Sequence, residues 1–259
     1  MNIGRSIFLA FCLAGSFAQA DSFTDYSSLL HKLTLSEPRA SIANIASGFG
    51  ASAGQAYVSV SYSDYDLQTE IEGDDDGSIM FGMGFGDPAI SVGGEVTVAI
   101  TSVSTGLWGD GKFADEGNVS VKIHKHVSPL LKEGQASIAL GASNVTGWGA
   151  TTGNPVNSYF AYTAQDRFGE FLEYAVSYTL GYGTAVAGLE DKGDWFLGAA
   201  IGYDDYNMSF ANIGSETHIS GSYFPPMFRG TSVTLSRADA FNKNNSERFI
   251  LTLGYAFNR

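Results

Sequence analysis

The chain has 259 residues, with 27 acidic side chains against 14 basic ones and a formal net charge of −13, a balance that argues against nucleic acid as a partner. Charged residues make up only 16% of the chain and aromatics 13%, glycine occurs 32 times and mean hydropathy is zero. An ordinary soluble domain carries about 25% charge and about 7% glycine; a membrane barrel has this other mixture because half its strand residues face lipid and half face the lumen.

The N-terminus reads as a secretory signal peptide over residues 1–20. Arg5 is followed by the apolar run Ile7 to Ala14 and then by the small residues of Ala18-Gln19-Ala20, the three parts such a signal needs. The run is too short to cross a bilayer as a helix, and Phe11 before Cys12 is too bulky for a lipoprotein signal. Cleavage after Ala20 removes Cys12 and leaves a mature chain with no cysteine, which excludes disulfides, thiolate nucleophiles and cysteine metal sites. Residues 21–50 lack alternation. Leu29, Leu30 and Leu33 allow an amphipathic turn or two, and the segment is expected to be a periplasmic extension or a small plug.

From residue 51 onward the pattern is period two, which puts alternate side chains on opposite faces of a strand. Near residue 80, Ile79, Phe81, Met83 and Phe85 oppose Ser78, Met80, Gly82 and Gly84. Further on, Leu172, Tyr174, Val176, Tyr178, Leu180 and Tyr182 oppose Glu173, Ala175, Ser177, Thr179 and Gly181. At the end Phe249, Leu251, Leu253, Tyr255 and Phe257 oppose Ile250, Thr252, Gly254 and Ala256. Similar segments cover 55–65, 89–103, 117–127, 135–144, 157–165, 194–204, 206–212, 217–224 and 230–237. With one exception, at 213–216, the odd-numbered connections are longer than the even ones, the habit of bacterial outer-membrane barrels. The expectation is one all-β domain over 51–259: a closed antiparallel up-and-down transmembrane barrel of about twelve strands, ten or fourteen being the alternatives, with both termini in the periplasm.

Four groups of side chains invite a chemical reading. His124 and His126 share a face with Lys122; two imidazoles so spaced can share a metal, but the cation beside them favours a polar lumen stripe with Glu95 as charge partner, and no cofactor is expected. Glu70, Glu72, Asp74, Asp75 and Asp76 crowd the first long connection, an acidic extracellular loop with oxygen ligands of the kind Ca²⁺ or Mg²⁺ takes but without an EF-hand spacing. His218 and Ser220 share a strand face, and His31 is the remaining histidine; a hydrolytic triad needs a third, orienting group. Tyr57, Trp108, Trp148, Tyr159, Tyr162, Trp195 and Tyr203 fall near strand ends or loops, where aromatic rings form membrane girdles. Small inward positions such as Gly141, Gly181 and Gly198 leave room for a narrow pore or a folded-in plug.

Several segments together resemble a group of uncharacterised bacterial proteins described as outer-membrane β-barrels: Ser47-Gly48-Phe49-Gly50-Ala51, Tyr57-Val58-Ser59-Val60, Gly82 to Pro88, Val119 to His124, and Arg248 to Phe257. The resemblance covers most of the mature chain and brings no catalytic residue with it. The last strand is also similar to the C-terminal signal of such barrels, here followed by Asn258-Arg259, which implies outer-membrane lipid, lipopolysaccharide and the barrel-assembly machinery as partners. The expected function is a narrow transport or structural barrel without covalent chemistry. An outer-membrane hydrolase and a soluble secreted glycan- or partner-binding β-protein are the alternatives.

Overall fold

The computed structural model of the protein describes residues 40–66, 71–101, 114–129, 134–169, 174–185, 193–244 and 246–258. The signal sequence, residues 21–39, His31, Glu70, Trp108 and Leu172 lie outside the described residues. The described chain forms twelve strands: β1 (Gln55–Asp66), β2 (Ile71–Gly86), β3 (Gly93–Ile100), β4 (Gly117–Val127), β5 (Gln135–Trp148), β6 (Asn157–Phe168), β7 (Tyr174–Gly183), β8 (Asp194–Tyr203), β9 (Tyr206–Ile213), β10 (Glu216–Tyr223), β11 (Thr231–Ala238) and β12 (Arg248–Asn258). Each pairs antiparallel with its sequence neighbours, and β1 pairs with β12 from Gln55↔Asn258 to Ser63↔Ile250, which closes the barrel. Closure leaves no strand edge unpaired.

The alternating segments are strands because each puts its apolar and its small or polar residues on opposite sides. Phe81, Met83 and Phe85 point outward while Met80 and Gly82 face in; Leu180 and Tyr182 point outward opposite Ser177 and Thr179; Phe249, Leu251 and Tyr255 oppose Ile250 and Thr252. The two-residue connection Asp204-Asp205 brings Tyr203 opposite Tyr206, with Asp204 at φ 52°. A two-residue hairpin needs such a left-handed residue to match the strand twist.

Two departures from the sequence expectation bear on the strands most. β2 starts at Ile71, so Glu72, Asp74, Asp75 and Asp76 belong to a long strand, paired with the end of β1 through Tyr65↔Glu72 and Ser63↔Asp76, and not to a loop. β5 likewise runs on to Trp148, across a register shift opposite Val119–Val121, and a short 3₁₀ turn (Gly149–Gly153) takes up much of the expected loop.

Ala40 to Ala53 form a strap inside the barrel. Ala40, Ile42, Ile45, Ala46, Ser47, Phe49 and Ala51 are all buried. The chain reverses at Asn44 (φ 59°) and leaves beside β2, where Ala53 bridges Gly84 and donates its N–H to the Gly86 carbonyl at 2.8 Å. Ile42, Ile45 and Ala46 pack with Ala161, Ala175, Phe196, Ala200, Ala211 and Ile213 of β6–β9. Ala51 packs with Tyr57, Met80, Ala99 and Phe224 on the opposite side.

Candidate functional site

The site is the lumen, and the strap organises it. The Ser41 N–H donates to Asn207 Oδ1 at 3.2 Å, and Asn207 Nδ2 donates back to the Ser41 carbonyl at 2.8 Å. The Ala43 N–H reaches Ser209 Oγ at 3.3 Å, and Gln165 Nε2 donates to the Ala40 carbonyl at 2.8 Å. The Gly48 N–H donates to Thr163 Oγ1 at 2.8 Å. Irregular backbone inside a closed barrel needs such partners, because a buried N–H or C=O left unpaired is costly.

Of the sequence-marked stripe, Glu95, Lys122 and His124 lie buried on the inner wall and His126 is half-buried beside them. Lys122 Nζ stands 3.3 Å from Glu95 Oε1. Both charges also hold the strap: Lys122 Nζ donates to the Phe49 carbonyl at 2.9 Å, and Glu95 Oε2 accepts the Ala51 N–H at 2.7 Å. The Tyr57 hydroxyl donates to Glu95 Oε1 at 3.2 Å. Buried ions hold only when each is paired and hydrogen-bonded, and here strap backbone contributes a bond to each. The Phe49 ring meets His126 edge-on, centroids 5.9 Å apart. The His124 ring lies between Gly50 and Gly93; a methyl group on either would come within 2.5 Å of a ring nitrogen. Among the described residues no three side chains of metal-ligating type converge.

Tyr57 and Tyr159 are not girdle residues. Tyr57 is buried over Gly82, its cross-strand partner, and Tyr159 lies over Gly141 in the same relation. Phe196 likewise covers Gly181. These inner glycines are sockets for neighbouring rings, while Gly198 accommodates Ile42 of the strap. The space the small residues open is filled. The parity of Tyr57 with Ser59 and Ser61 was the signal that it points inward.

Beyond the strap, the wall of β10, β11, β12 and β1 is lined with hydroxyls. Ser222, Thr234, Thr252 and Ser61 form one cross-strand row, with Thr234 Oγ1 donating to Ser222 Oγ at 2.9 Å and Ser61 and Thr252 sharing a bond of 2.9 Å. At the end of the barrel away from the C-terminus a second charged group stands. Arg248 Nη2 and His218 Nε2 both lie 3.1 Å from Glu216 Oε2. Sequence reading missed this group because Arg248 and Glu216 meet only through strand pairing. His218 has a carboxylate partner, but Ser220 Oγ has no hydrogen bond to it or to any other group. The nucleophile–base contact of a triad is not made.

The outer wall has the opposite chemistry. Its middle is apolar: Phe81, Val98, Ile123, Leu140, Leu197, Met208, Ile219, Leu235 and Leu251 are all exposed there. Aromatic rings collect at the end that carries the C-terminus: Phe168 stacks on Tyr174 (5.2 Å), Tyr174 packs on Tyr203 (5.0 Å), Tyr206 stacks on Tyr223 (5.1 Å) and Tyr255 meets Phe257 (4.6 Å). At the other end Trp195 packs against Tyr182 at 5.4 Å.

No protein-family model matches the chain, and no curated protein matches it in sequence. Among solved structures it is similar to the KdgM porin (TM-score 0.48, 11% identity, 79% of this chain and 99% of that one). It is similar also to the COG4313 outer membrane channel from Pseudomonas putida F1 (TM-score 0.44, 10% identity, 79% and 95% covered). A third is outer membrane phospholipase A from Escherichia coli (TM-score 0.45, 12% identity, 90% and 97% covered).

Proposed function

We propose that the protein is an integral outer-membrane β-barrel that acts as a narrow channel without covalent chemistry, its lumen occupied at rest by the N-terminal strap. One observation carries the reading: a closed barrel shows an apolar outer band bounded by aromatic rings at both ends. Hydrocarbon accepts such a wall and no open sheet; in water the same band would be a large exposed apolar surface, which soluble monomers avoid. The signal-like N-terminus supports export. On this reading the C-terminal end of the barrel is periplasmic, β12 is the strand the assembly machinery engages, and Glu95, Lys122, His124 and His126 anchor the strap instead of forming a metal or catalytic centre.

The polar-walled interior favours transport over a purely structural role. The test is fractionation followed by planar-bilayer recording of refolded mature protein. Recovery with outer membranes, heat-modifiable gel migration and small conductance steps are expected. Recovery in the soluble periplasm would remove the membrane reading.

A further inference from the structure

The outer faces of β6 and β7 carry one acidic side chain in an otherwise apolar and aromatic surface. Asp166 alternates with Phe160, Tyr162 and Phe168 on the outside of β6, whereas Thr163 and Gln165 point to the strap. It sits two residues from the strand end, opposite Val176, beside the stacked rings of Phe168 and Tyr174. Asp166 is only 6% exposed. Its Oδ1 has no hydrogen-bond partner, and Oδ2 accepts a long bond of 3.5 Å from the Tyr178 hydroxyl. The Tyr162 hydroxyl next to it is also buried without a partner. The Tyr162 and Tyr178 rings stand 6.5 Å apart at 45°.

A carboxylate taken out of water without a cation is costly, and here the missing cation has a defined shape. Asp166 Oδ1 lies against Gly134 on one side, so the cation is placed on the other, between the two tyrosines. We propose that Asp166, Tyr162 and Tyr178 form a site for the primary ammonium of a zwitterionic phospholipid headgroup in the periplasmic leaflet. An ammonium has three N–H donors and no acceptor. One satisfies Asp166 Oδ1 and the others meet the two phenolic oxygens, while the ring faces attract the positive charge. The Tyr178 hydroxyl, at the limit of hydrogen-bond length, is the group that turns aside to admit the headgroup. A quaternary choline offers charge but no N–H, and a phosphoglycerol headgroup brings net negative charge toward a carboxylate. The site therefore selects phosphatidylethanolamine chemistry over both.

This proposal rests on the membrane orientation given above, and the test separates the two. Refolded protein whose barrel shows the heat-modifiable shift is incubated with equimolar phosphatidylethanolamine, phosphatidylcholine and phosphatidylglycerol of identical acyl chains, then examined by native mass spectrometry. The wild type is expected to retain phosphatidylethanolamine several-fold over the other two. Asp166→Asn should abolish the preference, Tyr178→Phe should reduce it, and Asp166→Glu should keep part of it. Equal retention of the three lipids by the wild type, or an unchanged preference in Asp166→Asn, overturns the site while leaving the barrel intact. A missing heat-modifiable shift overturns the barrel reading, and the site with it.

Discussion

Ile42 of the strap and Gly198 of β8 are complementary: a methyl group on Gly198 would come within 2.7 Å of Ile42 Cγ2. A single inner glycine thus seats the apolar tip of a segment more than a hundred residues away in sequence. Ile42→Ala removes that tip and is expected to weaken strap docking by about 2–5 kcal/mol, the range for truncating buried aliphatic side chains. Hydrogen exchange over residues 40–51 should rise sharply while exchange in the barrel strands stays slow. Unchanged protection of the strap would show that Ile42 does not anchor it.

The ion pair under the strap supplies a second prediction. Glu95→Gln leaves Lys122 buried without its counter-charge and is expected to cost about 3–5 kcal/mol. The double variant Glu95→Gln, Lys122→Met removes both charges and should recover much of that loss. Urea unfolding in micelles measures both. Equal destabilisation by the single and double variants would mean that the pair is not coupled.

The outer wall can be probed at Ala199, which points outward midway between Trp195 and Tyr203 on β8. Ala199→Arg is expected to destabilise the inserted barrel by about 2–4 kcal/mol, the cost of a charge near the bilayer midplane. Ala199→Leu, of comparable bulk, should assemble normally. Equal assembly of the two variants would place this face in water.

Which parts of this architecture were readable in the sequence follows from how local their causes are. Alternation is set by neighbours two residues apart, so Leu180 against Thr179 or Phe249 against Ile250 announces both strand and face without any tertiary knowledge. The strap has no such signature. Ser41, Ala43 and Gly48 are held by Asn207, Ser209 and Thr163, partners that only barrel closure brings to one place. Tyr57 and Tyr159 lie near strand ends, which suggests a girdle, but their parity turns them inward over Gly82 and Gly141. Glu72 and Asp74 to Asp76 read as loop because acidic runs usually are solvated, yet they lie within β2, with Asp76 and Glu72 paired to β1 on either side of a register shift.

The loop after β11 gives a pH prediction. Asp239 is buried, which by itself raises its pKa, but the N–H groups of Asn244, Lys243 and Ser246 and the Ser246 hydroxyl donate to it and hold its carboxyl below the usual range. A carboxyl depressed in the folded state contributes stability that is fully present above its unfolded pKa of about 3.9, and that is lost as pH falls through the lower folded value. Proteolysis within 239–247 should therefore accelerate only on acidification below about pH 4. Asp239→Asn should flatten that dependence; an identical pH profile in the variant would assign it to another group.

A transmembrane barrel that carries its own N-terminal strap inside the lumen can be locked in that state. Ser47 Oγ and Thr163 Oγ1 lie 3.3 Å apart, and the chain's single cysteine, Cys12, falls in the signal-like segment, so Ser47→Cys, Thr163→Cys provides a clean pair for oxidation in native outer membranes. The disulfide is expected to form nearly completely and to hold bilayer conductance at its lowest level, and reduction to restore the larger steps of the unlocked protein. Free thiols after oxidation, or the same conductance before and after reduction, would contradict a strap inside the lumen.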